Sequence, residues 1–135
     1  MSDVLGKLRY RPGMRALVVA APVGFEAALA GGGVLRAPAR ARAVDVVQAF
    51  FTRRRELERS VARLAARLGP RGLFWVCYPK AGALGTDLGR DVVREVARRA
   101  GLDTVAIVAV DEVWSAVRLM DQTRTRRAGI PRKRP

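Results

Sequence analysis

The chain has 135 residues, about half of them apolar, enough for one domain with its own core and too apolar for disorder over most of its length. It carries 26 basic residues against 12 acidic ones and no histidine, for a formal charge of +14. Imidazole general bases, histidine-ligated metals and serine-hydrolase triads are therefore excluded, while polyanions become natural partners.

The single cysteine, Cys77, excludes an internal disulfide and a thiolate metal cluster. It sits in the apolar run Leu73-Phe74-Trp75-Val76-Cys77-Tyr78 and reads as an inert core thiol. Only Lys7, Lys80 and Lys133 are lysines. Such an arginine preference has two origins, a GC-rich genome or a need for bidentate phosphate contacts, and the sequence leaves both open. Residues 121–135 hold +5 of the charge. No run reaches the roughly 18 apolar residues of a membrane span. The short apolar stretch 16–21 is broken by Pro22, Gly24 and Glu26 before it can serve as a signal core, so a cytoplasmic location is expected.

In chain order, a basic leader and the turn Arg11-Pro12-Gly13 precede a buried strand over 15–21. Pro22 stops it, and 23–30 reads as a short helix closed by three glycines. A short edge strand over 34–36 and an Ala/Arg/Pro loop over 37–43 follow. The next strand is expected at 44–51. The clearest helix spans 53–68, with Leu57, Val61, Leu64 and Leu68 on one stripe and Arg59, Arg63 and Arg67 opposite. Gly69-Pro70 should terminate it.

A central strand over 72–78 leads into a glycine-containing loop, 79–85. Thr86 or Asp87 then caps a helix to residue 100, with Leu88, Val92, Val96 and Ala100 facing the core. Strands over 104–110 and 113–120 close the domain around an Asp111-Glu112 turn. Residues 121–135 are expected to form a disordered basic tail beyond a single domain over 1–120. Alternating strands and helices predict an α/β fold, with a mainly parallel sheet, helices on both faces and one antiparallel strand at the end.

Two segments resemble class I methyltransferases: Asp45-Val46-Val47, like their acidic-apolar strand, and 68–76, like their helix-to-strand turn. The whole chain resembles domain-of-unknown-function family 3052, small Rossmann-like proteins. Pro12-Gly13-Met14-Arg15, Tyr78-Pro79-Lys80, residues 86–94 and residues 109–115 carry that likeness. The resemblance implies a Rossmann-like, methyltransferase-like fold and no activity.

Two deficits argue against a retained S-adenosylmethionine site. The exit of the first strand reads Ala20-Ala21-Pro22-Val23-Gly24, where a cofactor-binding Rossmann unit has a glycine-rich turn. The second strand ends in Val34-Leu35-Arg36-Ala37, without the acid that would take ribose hydroxyls. No cofactor and no metal are therefore expected.

A ligand site, if present, belongs at the carboxyl ends of the strands, lined by Pro22, Thr52, Pro79, Lys80 and Thr86. In the methyltransferase-like strand order the winding reverses between the strands ending near Ala21 and Phe51. Lys80 and the start of the following helix would favour an anion, against the plainer view of a flexible loop with an ordinary cap. Asp87, Asp91, Asp111 and Glu112 could hold a hard cation or do acid–base work, or simply cap helices and pair with arginines. Trp114 reads as a stacking ring or as packing.

Nucleic-acid candidates are Arg59, Arg63 and Arg67 on the helix, and Arg124, Arg126, Arg127, Arg132, Lys133 and Arg134 in the tail. No helix-turn-helix, zinc-finger or RNA-recognition signature accompanies them. The favoured reading is a non-catalytic Rossmann-like protein that binds a partner or small anionic ligand, its basic tail giving affinity for nucleic acid or an acidic protein. The alternatives are a small S-adenosylmethionine- or nucleotide-dependent transferase and a nucleic-acid-associated regulator.

Overall fold

A computed structural model describes residues 2–127. Six strands form one sheet in the order β2-β1-β3-β4-β6-β5. β1 (Arg15–Val19), β2 (Leu35–Arg36), β3 (Val44–Phe50) and β4 (Leu68–Pro79) run parallel. β6 (Trp114–Asp121) pairs antiparallel with β4 on one side and with β5 (Leu102–Ala109) on the other. The result is the mostly parallel sheet with a reversed final strand that the alternation of elements predicts.

Helices cover both faces. α1 (Ser2–Lys7) and α2 (Val23–Gly31) bury Val4, Leu5, Phe25 and Leu29 against Val18, Val46, Phe50 and Trp75. On the other face, α3 (Arg54–Ala65) and α4 (Arg90–Arg99) bury Leu57, Val61, Val93 and Val96 against Val47, Phe74, Val117 and Leu119. The α3–α4 seam is latched by the Arg54 guanidinium, which meets Glu58 at 3.0 Å and Glu95 at 3.3 Å.

Several local expectations are corrected. The leader is not merely basic: Val4, Leu5, Leu8 and Tyr10 are core residues, and the Trp75 indole N–H donates to the Leu8 carbonyl at 3.0 Å. The third helix ends at Ala65, so Arg67 leaves the helix face and donates instead to the Arg40 carbonyl at 3.0 Å. Gly69-Pro70 does not end a helix but lies inside β4. There Leu68 opposes Val44 and Leu73 opposes Val46, so the residues between form a bulge. Gly72 fits this bulge because a Cβ would come within 2.6 Å of the Leu68 side chain.

The fourth helix starts at Arg90 with Gly89 as its N-cap, and Val93 and Ala97, rather than Ala100, complete its core face. Leu88, Val92 and Val96 face the core as expected, and Ala100 falls outside it because the helix ends at Arg99. Residues Gln122–Arg127 of the expected disordered tail form a helix, α5, pinned where the Thr125 hydroxyl donates to buried Asp103 at 2.7 Å. Residues 128–135 lie outside the described residues.

Cys77 is fully buried at the centre of β4, accepting from the Gln48 side-chain amide at 3.0 Å. Burial pushes its thiol well above the ordinary value, and the Gln48 hydrogen bond offsets only part of that. A thiol-specific chromogenic reagent should therefore leave the folded protein unlabelled and titrate one thiol in denaturant. Rapid labelling of the folded form would contradict this packing.

Candidate functional site

The winding reverses between β1 and β3: β1 continues through α2 on one face to β2, and β3 through α3 on the other face to β4. The crevice beyond these strand ends is where open α/β sheets gather ligands. Its β1 wall is Ala20-Ala21-Pro22. Ala20 adopts a left-handed conformation at φ +57°, a strained choice for a residue with a Cβ. Pro22 is the N-cap of α2 and gives no side-chain cap bond, and Val23 projects 86% exposed. At the end of β2, the Arg36 guanidinium pairs with Glu26 of α2.

The loop after β4 is tied down. It forms a tight 3-10 stretch, Lys80–Gly85, with left-handed backbone at Ala81, Gly82, Leu84 and Gly85. The Thr86 hydroxyl donates to the Thr52 carbonyl at 2.6 Å and accepts from the Leu88 amide at 3.0 Å. Arg53 donates to the Gly85 carbonyl at 2.9 Å. Asp87 caps a neighbouring helix rather than its own, accepting from the Arg54 amide at the start of α3 at 2.7 Å.

Of the five residues expected to line the site, Thr52 and Thr86 are thus brought into contact. Pro22 stands across the switch point. Pro79 is buried at the end of β4 opposite Trp114. The Lys80 ammonium donates to the Asp111 carbonyl at 2.5 Å, toward the β5–β6 turn and away from β1. Asp91 and Asp111 act locally: Asp91 pairs with Arg94 at 2.7 Å, and Asp111 accepts the amides of Val113 and Trp114. No metal-binding group of three ligand residues occurs among the described residues. Trp114 packs edge-on against Phe50 with ring centres 5.1 Å apart.

The arginine surfaces divide. Arg59 and Arg63 are exposed on α3, and Arg63 donates to Ser60 at 3.3 Å. Arg124, Arg126 and Arg127 lie on α5, while Arg132, Lys133 and Arg134 fall outside the described residues.

Sequence reasoning missed a second concavity, at the opposite, amino-terminal edge of the sheet. A cleft of about 590 Å³ there is lined by Arg9, Arg11, Arg71, Arg118 and Arg124. Tyr10, Met14 and Leu73 form its apolar part. These residues come from the turn after α1, the β4 bulge, β6 and α5, so no local motif announces them. One available signal is strand alternation, which puts Arg118 on the inward face shared by Trp114 and Ala116.

The strand order and the reversed β6 define a Rossmann-like fold of the class I methyltransferase type. The structure resembles a methyltransferase from Aquifex aeolicus that depends on S-adenosylmethionine, with 16% identity, 87% of each chain covered and a TM-score of 0.62. It also resembles one from Thiobacillus denitrificans bound to S-adenosylhomocysteine, with 15% identity, 89% of this chain and 90% of that one covered, and a TM-score of 0.57. A third is a TehB-like enzyme from Corynebacterium glutamicum, with 12% identity, 89% and 86% covered, and a TM-score of 0.55. At such identities the likeness shows the fold. The chain belongs to the DUF3052 family, described as a protein of unknown function, whose sequence profile matches residues 30–123. No curated protein sequence matches it. Among the described residues, no helix is long and apolar enough to cross a membrane.

Proposed function

We propose that this protein is a non-catalytic binding module on a methyltransferase-like framework. It takes a small anionic ligand or a partner, and its basic carboxyl-terminal segment adds affinity for polyanions. The observation that carries this reading is the exit of β1. Cofactor-binding Rossmann units need glycine there so that a ligand can approach the backbone. In this chain Ala20, Ala21 and Pro22 occupy that approach, Ala20 in a left-handed conformation. The ion pair of Arg36 with Glu26 at the end of β2 supports the same reading, because it stands where an unpaired acid would take ribose hydroxyls.

The test is titration calorimetry of the full chain with S-adenosylmethionine and S-adenosylhomocysteine. No saturable heat is expected up to millimolar ligand, where a bound state is worth only about 4 kcal/mol. A micromolar isotherm would replace this reading with that of a small transferase, which the shared framework of the structural neighbours favours.

A further inference from the structure

The arginine-lined cleft has a charge problem that a ligand would solve. Arg118 is 9% exposed, on the inward face of β6 opposite Trp75 and Ala106. Burying a guanidinium is costly unless an anion or a set of acceptors meets it. Yet among the described residues no carboxylate lies within ion-pair distance of Arg118, nor of Arg9, Arg11, Arg71 or Arg124. The nearest charges are of its own sign. Burial, with the charges of Arg9 and Arg124 behind it, holds the Arg118 guanidinium below its ordinary pKa. No fully buried side-chain nitrogen lacks a hydrogen-bond partner among the described residues, so the Arg118 head group opens on the cleft.

The backbone is also shaped for this convergence. Arg9 sits at φ +67° where the chain turns out of α1, and Arg71 rises from the β4 bulge. Bulges commonly re-aim a side chain. Two strained or irregular segments thus aim arginines at one cavity from different elements. Guanidinium forks match phosphate oxygens bidentately, and five forks with no lining carboxylate among the described residues exceed what one monoanion would neutralise. The volume lies within the range of small-ligand pockets.

We propose that this cleft binds a small molecule bearing two or more phosphoryl groups, with Arg118 at its floor and Arg9, Arg11, Arg71 and Arg124 around its mouth. A concave site with its deepest cation inside the sheet suits a compact ligand better than an extended nucleic-acid backbone.

The experiment is titration calorimetry of the full chain, wild type and variants, with inorganic pyrophosphate, ATP without magnesium, orthophosphate and a single-stranded oligonucleotide. Pyrophosphate and ATP are expected to bind with one-to-one stoichiometry, and orthophosphate at least tenfold more weakly. ATP tighter than pyrophosphate would assign an organic body lying on Met14 and Leu73; equal affinity would assign the polyphosphate alone. Arg118→Met should weaken both at least tenfold, with a melting temperature equal to or above that of wild type, since three crowded cations become two. Arg71→Ala, at an exposed position, provides a second variant and should weaken binding severalfold. Arg59→Ala, on the far face, should change nothing.

The proposal is overturned if neither polyphosphate binds saturably, or if both cleft variants bind like wild type. It is overturned equally if Arg59→Ala loses as much as Arg118→Met, which would mean diffuse attraction. An oligonucleotide that binds more tightly than ATP and depends on Arg118 would reassign the cleft to nucleic acid. None of these outcomes depends on the S-adenosylmethionine titration, which probes the other edge of the sheet.

Discussion

Trp75→Ala is expected to lower stability by about 3–5 kcal/mol, the range for truncating a large buried aromatic. Trp75 is 1% exposed, in the middle of β4, between Gln48 on one neighbour and Arg118 on the other. Its ring fills the core beneath α1, and its indole N–H holds the Leu8 carbonyl. Truncation therefore opens a cavity and frees a helix of only six residues, which has little stability of its own. Against a typical total of about 5–15 kcal/mol, the loss is large. Thermal unfolding should shift down by more than about 10 °C.

Trp75→Phe keeps most of the ring but leaves the carbonyl without its donor. It should cost about 1–3 kcal/mol. Because Arg9 and Arg11 follow α1 directly, both variants should also weaken polyphosphate binding at the cleft, the alanine variant more. A Trp75→Ala protein that melts within a few degrees of wild type would show that α1 is not held this way.

What was legible in the sequence is what repeats locally. The continuous apolar run at 16–19 and the mostly apolar run at 44–50, broken only by Asp45 and Gln48, are strands flanked by covered faces, and the stripe Leu57, Val61, Leu64 identifies α3 from spacing alone. The closing turn at Asp111 was readable because an aspartate that accepts amides two and three residues on is a common turn device.

The remainder depended on partners distant in sequence. α1 is short and interrupted by Gly6, so Val4, Leu5 and Leu8 owe their burial only to the sheet beneath. Gly69-Pro70 carries a helix-stop signal, yet β3 recruits that segment as a bulged strand. Thr125 looked like tail, yet its hydroxyl meets buried Asp103, 22 residues earlier, in a contact that no local spacing reveals.

The candidate site followed the same rule. Thr52 and Thr86 meet because the loop after β4 folds back onto the exit of β3, but Lys80 is drawn to the Asp111 carbonyl because β6 pairs with β4, a placement of the closing hairpin that no local spacing reveals. The arginine cleft was the least legible of all, since its five cations come from four segments. An arginine in a strand otherwise apolar on that face, and Arg124 among the basic residues of the carboxyl-terminal segment, were its traces.

Gln48 offers a test of the core beneath that cleft. It is fully buried on β3, facing α1, where an amide is tolerated only if its polar atoms are met. The Tyr10 hydroxyl donates to the Gln48 side-chain carbonyl at 2.7 Å, and the Gln48 amide donates to the Cys77 sulfur at 3.0 Å. Burial raises the Tyr10 phenol far above its ordinary value, which favours the neutral hydroxyl as a donor to Gln48. Gln48→Leu keeps the volume but strands the hydroxyl, and should cost about 1–3 kcal/mol. Tyr10→Phe strands the Gln48 carbonyl and should cost a similar amount. The double variant removes donor and acceptor together and leaves only the Cys77 sulfur without its donor, so it should cost clearly less than the sum of the singles. The resulting coupling, about 1–3 kcal/mol, is measurable by urea denaturation. Costs that simply add would mean that Tyr10 and Gln48 do not share this bond. Because the Tyr10 ring lines the cleft while its hydroxyl points into the core, Tyr10→Phe should leave polyphosphate affinity within about twofold of wild type; a larger loss would place the hydroxyl on the ligand instead.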